Sequence, residues 1–160
     1  MKKLLCALAI SAIAAPGLAF ADGGTSCAAA QELFSNQSYT GDTSTSTSFV
    51  GNFGGVPSPG PDLAFKYTVP AVATGPIAVT VTGGWNAGGV ITASCGAIAG
   101  PPLAAATGTT SFNVPTTGLT AGTTYFFIMT GNPSDNSGPS GAFGITTGVL
   151  PVSLKDFSID

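Results

Sequence analysis

The stretch Asp62-Leu-Ala-Phe-Lys-Tyr-Thr-Val69 alternates with a period of two. Leu63, Phe65, Tyr67 and Val69 fall on one face, and Ala64, Lys66 and Thr68 on the other. Successive side chains of an extended chain point to opposite faces, so this is the pattern of a half-buried β-strand. The stretch Thr123-Thr-Tyr-Phe-Phe-Ile-Met-Thr130 differs: Tyr125, Phe127 and Met129 share one face while Phe126 and Ile128 occupy the other. A strand apolar on both sides is central in its sheet and covered twice.

Outward from these two stretches the same period recurs. Ile77, Val79 and Val81 alternate with Ala78, Thr80 and Thr82; Phe112 is in phase with Val114, and Phe143 with Ile145. Between Val90 and Cys95, Ile91, Ala93 and Cys95 share a face, which points Cys95 inward with the core. Clusters of Gly, Pro, Ser and Asn separate the runs. Short strands at near-regular spacing predict an all-β protein, an antiparallel β-sandwich of jelly-roll-like type. Only Cys27 to Phe34 has helical character, which predicts one short N-terminal helix. The segment Ser44 to Pro61 is either a mobile loop or a flap held on the sandwich through Phe49, Val50 and Phe53. Near the end, Val152 and Leu154 share a parity that Phe157 and Ile159 do not, so a bulge or strand end is expected near Lys155.

The front of the chain reads as an address. Lys2 and Lys3 precede an almost continuous apolar run from Leu4 to Leu18, and Ala19-Phe20-Ala21 supplies the small-x-small pattern of a secretory cleavage site. Pro16 and Gly17 interrupt the run, and it is short for a bilayer span. Three parts follow: residues 1–21 as signal peptide, 22–149 as the β-sandwich domain, and 150–160 as a C-terminal strand or sorting tail. The expected destination is outside the cytoplasm, through the periplasm to the cell surface or medium, with no membrane span left after cleavage.

Charge narrows the chemistry. Lys and Arg together number 4, all Lys, against 7 Asp and Glu, and there is no His. Charged residues are 7% of the chain, far below the roughly 25% of an ordinary domain. After cleavage only Lys66 and Lys155 face the seven acids. No cationic footprint for nucleic acid can be built from two lysines. Without His there is no Ser-His-Asp triad and no physiological-pH acid–base group. A Ser–Lys nucleophile would need a Lys66 of lowered pKa beside a serine, and its strand position favours solvent instead. Catalysis is not expected.

Cys27 and Cys95 survive cleavage, and an exported pair reads as one disulfide. Their spacing is not C-x-x-C and neither has a neighbouring cation, so a redox role is not favoured. Among polar residues, Asp42, Asp62 and Asp135 are the carboxylates a hard cation such as calcium would want. Gly131-Asn-Pro-Ser-Asp-Asn-Ser-Gly138 is rich in oxygen, and Asp135 with Asn136 could supply two ligands. Turn chemistry explains the same residues more simply, since Asp and Asn side chains bond nearby backbone. Asp62, at a strand entry after Pro61, is either a ligand contact or a turn cap, with the cap favoured. Trp85 sits in the Gly-rich loop 83–89 and is either an exposed platform for a sugar ring or partner, or a lid folded back on the core. The candidate binding residues are therefore Trp85, Asp62, Asp135 and Asn136, with Asp135 and Asp42 as the candidate cation ligands.

Several segments together resemble the bacterial pre-peptidase C-terminal (PPC-type) β-sandwich domain. These are an early Cys, Ser38-Tyr-Thr-Gly-Asp42-Thr, Gly60-Pro-Asp62-Leu-Ala-Phe-Lys-Tyr-Thr-Val-Pro70, and Ser94-Cys95-Gly96. Leu119-Thr-Ala-Gly-Thr-Thr-Tyr-Phe-Phe-Ile-Met-Thr-Gly131 and Ser140-Gly-Ala-Phe-Gly-Ile-Thr146 complete the order. The resemblance spans roughly residues 27 to 147. It implies a non-catalytic secreted module that attaches to polysaccharide, matrix or another secreted protein, sometimes with calcium. Gly88-Gly-Val-Ile-Thr-Ala departs from the family's pattern, because it lacks the acid usual before the second Cys. The expected function is thus that of an exported binding module. The alternative is an assembly subunit pairing through its C-terminal edge strand.

Overall fold

The alternating runs at 62–69, 77–82, 112–114, 123–130 and 143–145 fall on strands in the computed structural model. The described residues are 20, 21 and 23–148, less 54, 55, 72–74, 97, 99, 133 and 136. The expected signal segment up to residue 19, the tail 150–160 and Asn136 lie outside them. In chain order the strands are β1 (Phe20–Ala21), β2 (Gln31–Leu33), β3 (Ser38–Asp42), β4 (Gly51–Phe53), β5 (Val56–Ser58) and β6 (Leu63–Thr68). They continue with β7 (Ile77–Val81), β8 (Ala87–Thr92), β9 (Ala104–Gly108), β10 (Ser111–Val114), β11 (Thr124–Gly131) and β12 (Ala142–Thr147). No helix among the described residues is long and apolar enough to cross a membrane.

Two five-stranded sheets form, ordered β1-β3-β12-β7-β10 and β2-β6-β11-β8-β9, with β4 and β5 as a separate hairpin. Their apolar faces meet in one core. Tyr39, Ile77, Val79, Val114, Phe143 and Ile145 come from the first sheet, and Leu63, Phe65, Tyr67, Ile91, Phe127 and Met129 from the second. Phe65 joins the two layers, 6.1 Å from Phe127 and edge-on to Phe143 at 6.3 Å between ring centroids. Burying each such side chain stabilises by about 1.5–3 kcal/mol, so this core outweighs any surface contact. Gly89 leaves room for it: a Cβ there would sit 3.0–3.1 Å from Phe112, Val114 and Phe127.

β11 is central, flanked by β6 and β8. Its second face carries a smaller cluster in which Val50, Val90, Ile98 and Ile128 are buried, with Phe49, Cys95 and Phe126 packed on them. The segment 44–61 is therefore a flap held on the sandwich by Phe49 and Val50.

Three expectations are corrected. The N-terminal helix is not formed: the amides of Ala29 and Ala30 donate to the carbonyls of Ser26 and Cys27 in a turn, and Gln31–Leu33 pairs with β6. Eight residues are too few to repay helix nucleation, whereas the sheet edge offers ladder bonds and buries Leu33. The sheets are also not wholly antiparallel, since β1 on β3 and β2 on β6 are parallel. Finally, the alternation does not carry Cys95 into the main core. β8 ends at Thr92, whose hydroxyl donates to the Ser94 carbonyl at 2.6 Å. Ala93 and Ser94 are exposed, and Cys95 packs in the outer cluster instead. The disulfide to Cys27 forms there, with Cα atoms 5.6 Å apart.

Candidate functional site

The sandwich has two ends of different chemistry. At the first, β3, β7 and β11 finish while β6, β8 and β12 begin, as the pairing registers require. Asp42 closes β3 at this end, and Asp62, Trp85 and Asp135 stand on its loops, so the structure brings these sequence candidates to one end. Asn136 lies outside the described residues.

Asp62 is fully buried. Its Oδ2 accepts hydrogen bonds from the amides of Phe49 and Val50, each at 2.9 Å. Its own amide donates to the Thr47 carbonyl at 3.2 Å, and the Ser46 hydroxyl donates to its carbonyl at 2.6 Å. One residue at the entry of β6 thus latches the flap by four bonds. Oδ1 accepts none. Burial pushes the carboxyl pKa above its usual range, and the Val50 amide is the strongest of the groups opposing that rise. The Thr130 and Ser48 hydroxyls pull the same way without closing a hydrogen bond to Oδ1.

Asp135 is turned toward its own loop. Oδ1 accepts from the Ser137 hydroxyl at 2.7 Å and the Ser137 amide at 3.1 Å, and Oδ2 accepts from Asn86 Nδ2 at 3.2 Å. These bonds, the Ser137 hydroxyl foremost, hold its pKa below the usual range. Asn132 Nδ2 donates to Asn86 Oδ1 at 3.1 Å, tying the loops after β7 and β11. Asp42 caps a single 3-10 turn, Thr43–Thr45, accepting from the Ser44 amide at 2.9 Å and the Ser44 hydroxyl at 2.6 Å. Both candidate cation ligands are engaged in local turns, as Asp does at loop corners. Among the described residues no three His, Cys, Asp or Glu side chains gather where they could hold a metal ion.

Trp85 is half-buried against the main core. Its indole N–H donates to the Ala142 carbonyl at 3.0 Å. The ring stands over Gly141, where a Cβ would lie 2.5 Å from Cδ1. The indole thus serves as a lid that joins the loop after β7 to the start of β12.

The opposite end carries a cleft that sequence reasoning missed. About 530 Å³ in volume, it is lined among others by Val69, Pro70, Pro76, Asn113, Pro115 and Leu119, with Thr117 and Ala121 at its margin. Among the described residues none that lines it is ionisable. Its walls are fixed from within the fold. The Val69 amide donates to the Thr123 carbonyl at 3.0 Å and the Gly122 amide to the Val69 carbonyl at 2.8 Å. The Tyr125 hydroxyl accepts from the Thr120 amide at 3.2 Å, across five residues, a bond that draws the phenol pKa down. The Thr116 hydroxyl donates to the Gly75 carbonyl at 3.3 Å. The only sequence signal for this cleft was that three strands border a proline, at Val69-Pro70, Pro76-Ile77 and Val114-Pro115. Those prolines read singly as turn marks; only the strand order sets them side by side.

Comparison with protein-family models, with curated proteins and with solved structures finds no match for this chain.

Proposed function

We propose that the protein is an exported, non-catalytic binding module that takes a neutral polysaccharide in the cleft between the β6 and β10 ends. The observation that carries this reading is the neutral, proline-rich lining of the cleft, in which none of the described residues is ionisable. A charged ligand would be desolvated there without a counter-charge, which is costly. A neutral chain meets rigid apolar faces from Pro70, Pro76, Pro115 and Leu119, and hydrogen-bonding groups from Asn113 and Thr117. Prolines hold those faces in place before binding, so little ordering cost remains. The volume lies within the range of ordinary ligand sites. The Cys27–Cys95 disulfide is compatible with an oxidising, extracytoplasmic location, in agreement with the signal pattern at residues 1–21.

Isothermal titration against neutral and anionic polysaccharides tests the proposal, using the wild type and Ala121→Trp, which fills the cleft from its exposed margin. Neutral chains are expected to bind, anionic ones not, and the variant to lose at least tenfold in affinity with its melting temperature unchanged. Binding that Ala121→Trp leaves intact, or binding of anionic chains alone, overturns it.

A further inference from the structure

The cleft between the β6 and β10 ends offers much apolar surface and little polar surface. Pro70, Pro76, Pro115 and Leu119 supply C–H faces, while among the described lining residues only Asn113, Thr116 and Thr117 carry a polar side chain. The Thr116 hydroxyl is already engaged, donating to the Gly75 carbonyl at 3.3 Å. No described lining residue is aromatic. The one tryptophan of the chain is committed at the opposite end, where its indole N–H donates to the Ala142 carbonyl.

Such a lining suits a bare sugar poorly. An unsubstituted glycan carries hydroxyls around every ring, and each one taken from water without a partner costs free energy. Asn113 and Thr117 can meet only a few of them. An acetyl group divides its chemistry differently, into a methyl for apolar walls and a single carbonyl that needs one donor.

We infer that the cleft selects glycans bearing acetyl groups, and that the Asn113 amide reads the acetyl carbonyl. This rests on the neutral-polysaccharide reading of the same cleft and narrows its ligand class. The alternation of β10 turns Phe112 and Val114 to the core and leaves Asn113 exposed on the other side. Across the ladder Asn113 stands opposite Ala78, a side chain too short to cover an amide. Immediately beyond the Val114↔Ile77 pair come Pro115 and Pro76, so two ring faces lie next to the donor. An Asn side chain has two donors and one acceptor site group. One donor serves the acetyl carbonyl, and the side-chain oxygen can accept the N–H of an N-acetyl sugar. Charge agrees with this choice. An acetylated amino sugar is neutral, whereas the free amine would enter as a cation with no counter-charge among the described lining residues.

Isothermal titration compares N-acetylglucosamine oligomers of the chitin type with glucose oligomers of the same linkage and length, which differ only in the acetamido group. Burying one methyl and pairing one carbonyl are together worth about tenfold in affinity. The wild type is expected to prefer the acetylated oligomer by about that factor. Asn113→Leu keeps the bulk and removes the amide, and should reduce the preference to about threefold or less with its melting temperature unchanged. Equal binding of the two oligomers by the wild type overturns the inference and leaves the neutral-polysaccharide reading standing, a comparison that decides by itself should the variant fold poorly. A preference that a folded Asn113→Leu leaves intact also overturns it. Failure of both oligomers to bind overturns it too, and the wider set of neutral polysaccharides then decides whether the broader reading falls. Acetyl-dependent binding that survives Ala121→Trp overturns both.

Discussion

Asp62→Ala removes the latch between the flap and the sandwich. Two amides, Phe49 and Val50, lose the acceptor they share at 2.9 Å each, and Val50 is buried. A buried donor left without a partner costs about 1–3 kcal/mol, and the part-buried Phe49 amide adds a smaller cost. Against that stands the relief of a buried carboxylate with one oxygen that accepts no hydrogen bond. The expected net loss is about 1–3 kcal/mol by this reckoning. Asp62→Asn separates the two contributions, because its carbonyl still receives both amides while the charge is gone.

The pH dependence gives the sign. The folded-state pKa of Asp62 is raised above the ordinary 3.8, so the folded chain binds the proton more tightly than the unfolded one. This group's contribution is fully present below pH 3.8 and is lost as pH rises through the higher folded value. Asp62→Asn should therefore gain stability relative to wild type as pH rises across that window. Urea denaturation followed by circular dichroism at several pH values measures both variants, and hydrogen exchange at the Phe49 and Val50 amides reports the flap directly. An Asp62→Ala chain within 0.5 kcal/mol of wild type, with those amides still protected, would refute the latch.

Three further outcomes follow from the same contacts. Replacing Cys27 and Cys95 by Ser frees a loop spanning 68 residues and should cost about 4 kcal/mol in the chain-entropy model; a wild-type melting temperature that does not fall in reductant would contradict this. Gly141→Ala drives a Cβ into the Trp85 ring and should cost about 1–3 kcal/mol by overpacking, with a red shift in Trp fluorescence as the lid lifts. Asp135→Ala should flatten the acid limb of the stability profile. The depressed pKa of Asp135 means its contribution is present above the unfolded value and is lost as pH falls through the folded one, which acid titration of both proteins checks.

The alternation at 62–69 and the two-sided apolar run at 123–130 were enough to specify strands, their inward faces and the central place of β11. Strand identity is local, because a period of two leaves one way to bury the apolar set. The helix expected at 27–34 failed because its eight residues hold little preference of their own, so a disulfide and an open sheet edge decided their shape. Ala93 and Cys95 misled for a related reason: alternation says nothing of where a strand stops, and the Thr92 turn stops it early. Asp62 was legible as a turn cap, yet its two amide partners lie 12 and 13 residues away on a flap whose docking no local pattern records. Asp42 and Asp135 were legible as turn residues because Ser44 and Ser137, which donate to them, stand within two positions, whereas the Asn86 bond to Asp135 comes from a distant loop.

What the chain determined by itself was its alternating strands and turn corners, all of short range, together with a composition that holds two cysteines after the leader and little charge. Tertiary structure alone decided which ends meet. Prolines at 70, 76 and 115 line one cleft because β6, β7 and β10 start or finish at the same end of two packed sheets, while four sequence candidates gather at the other. Strand order is set by burial of the whole core at once, a sum over distant pairs that no single stretch of sequence carries.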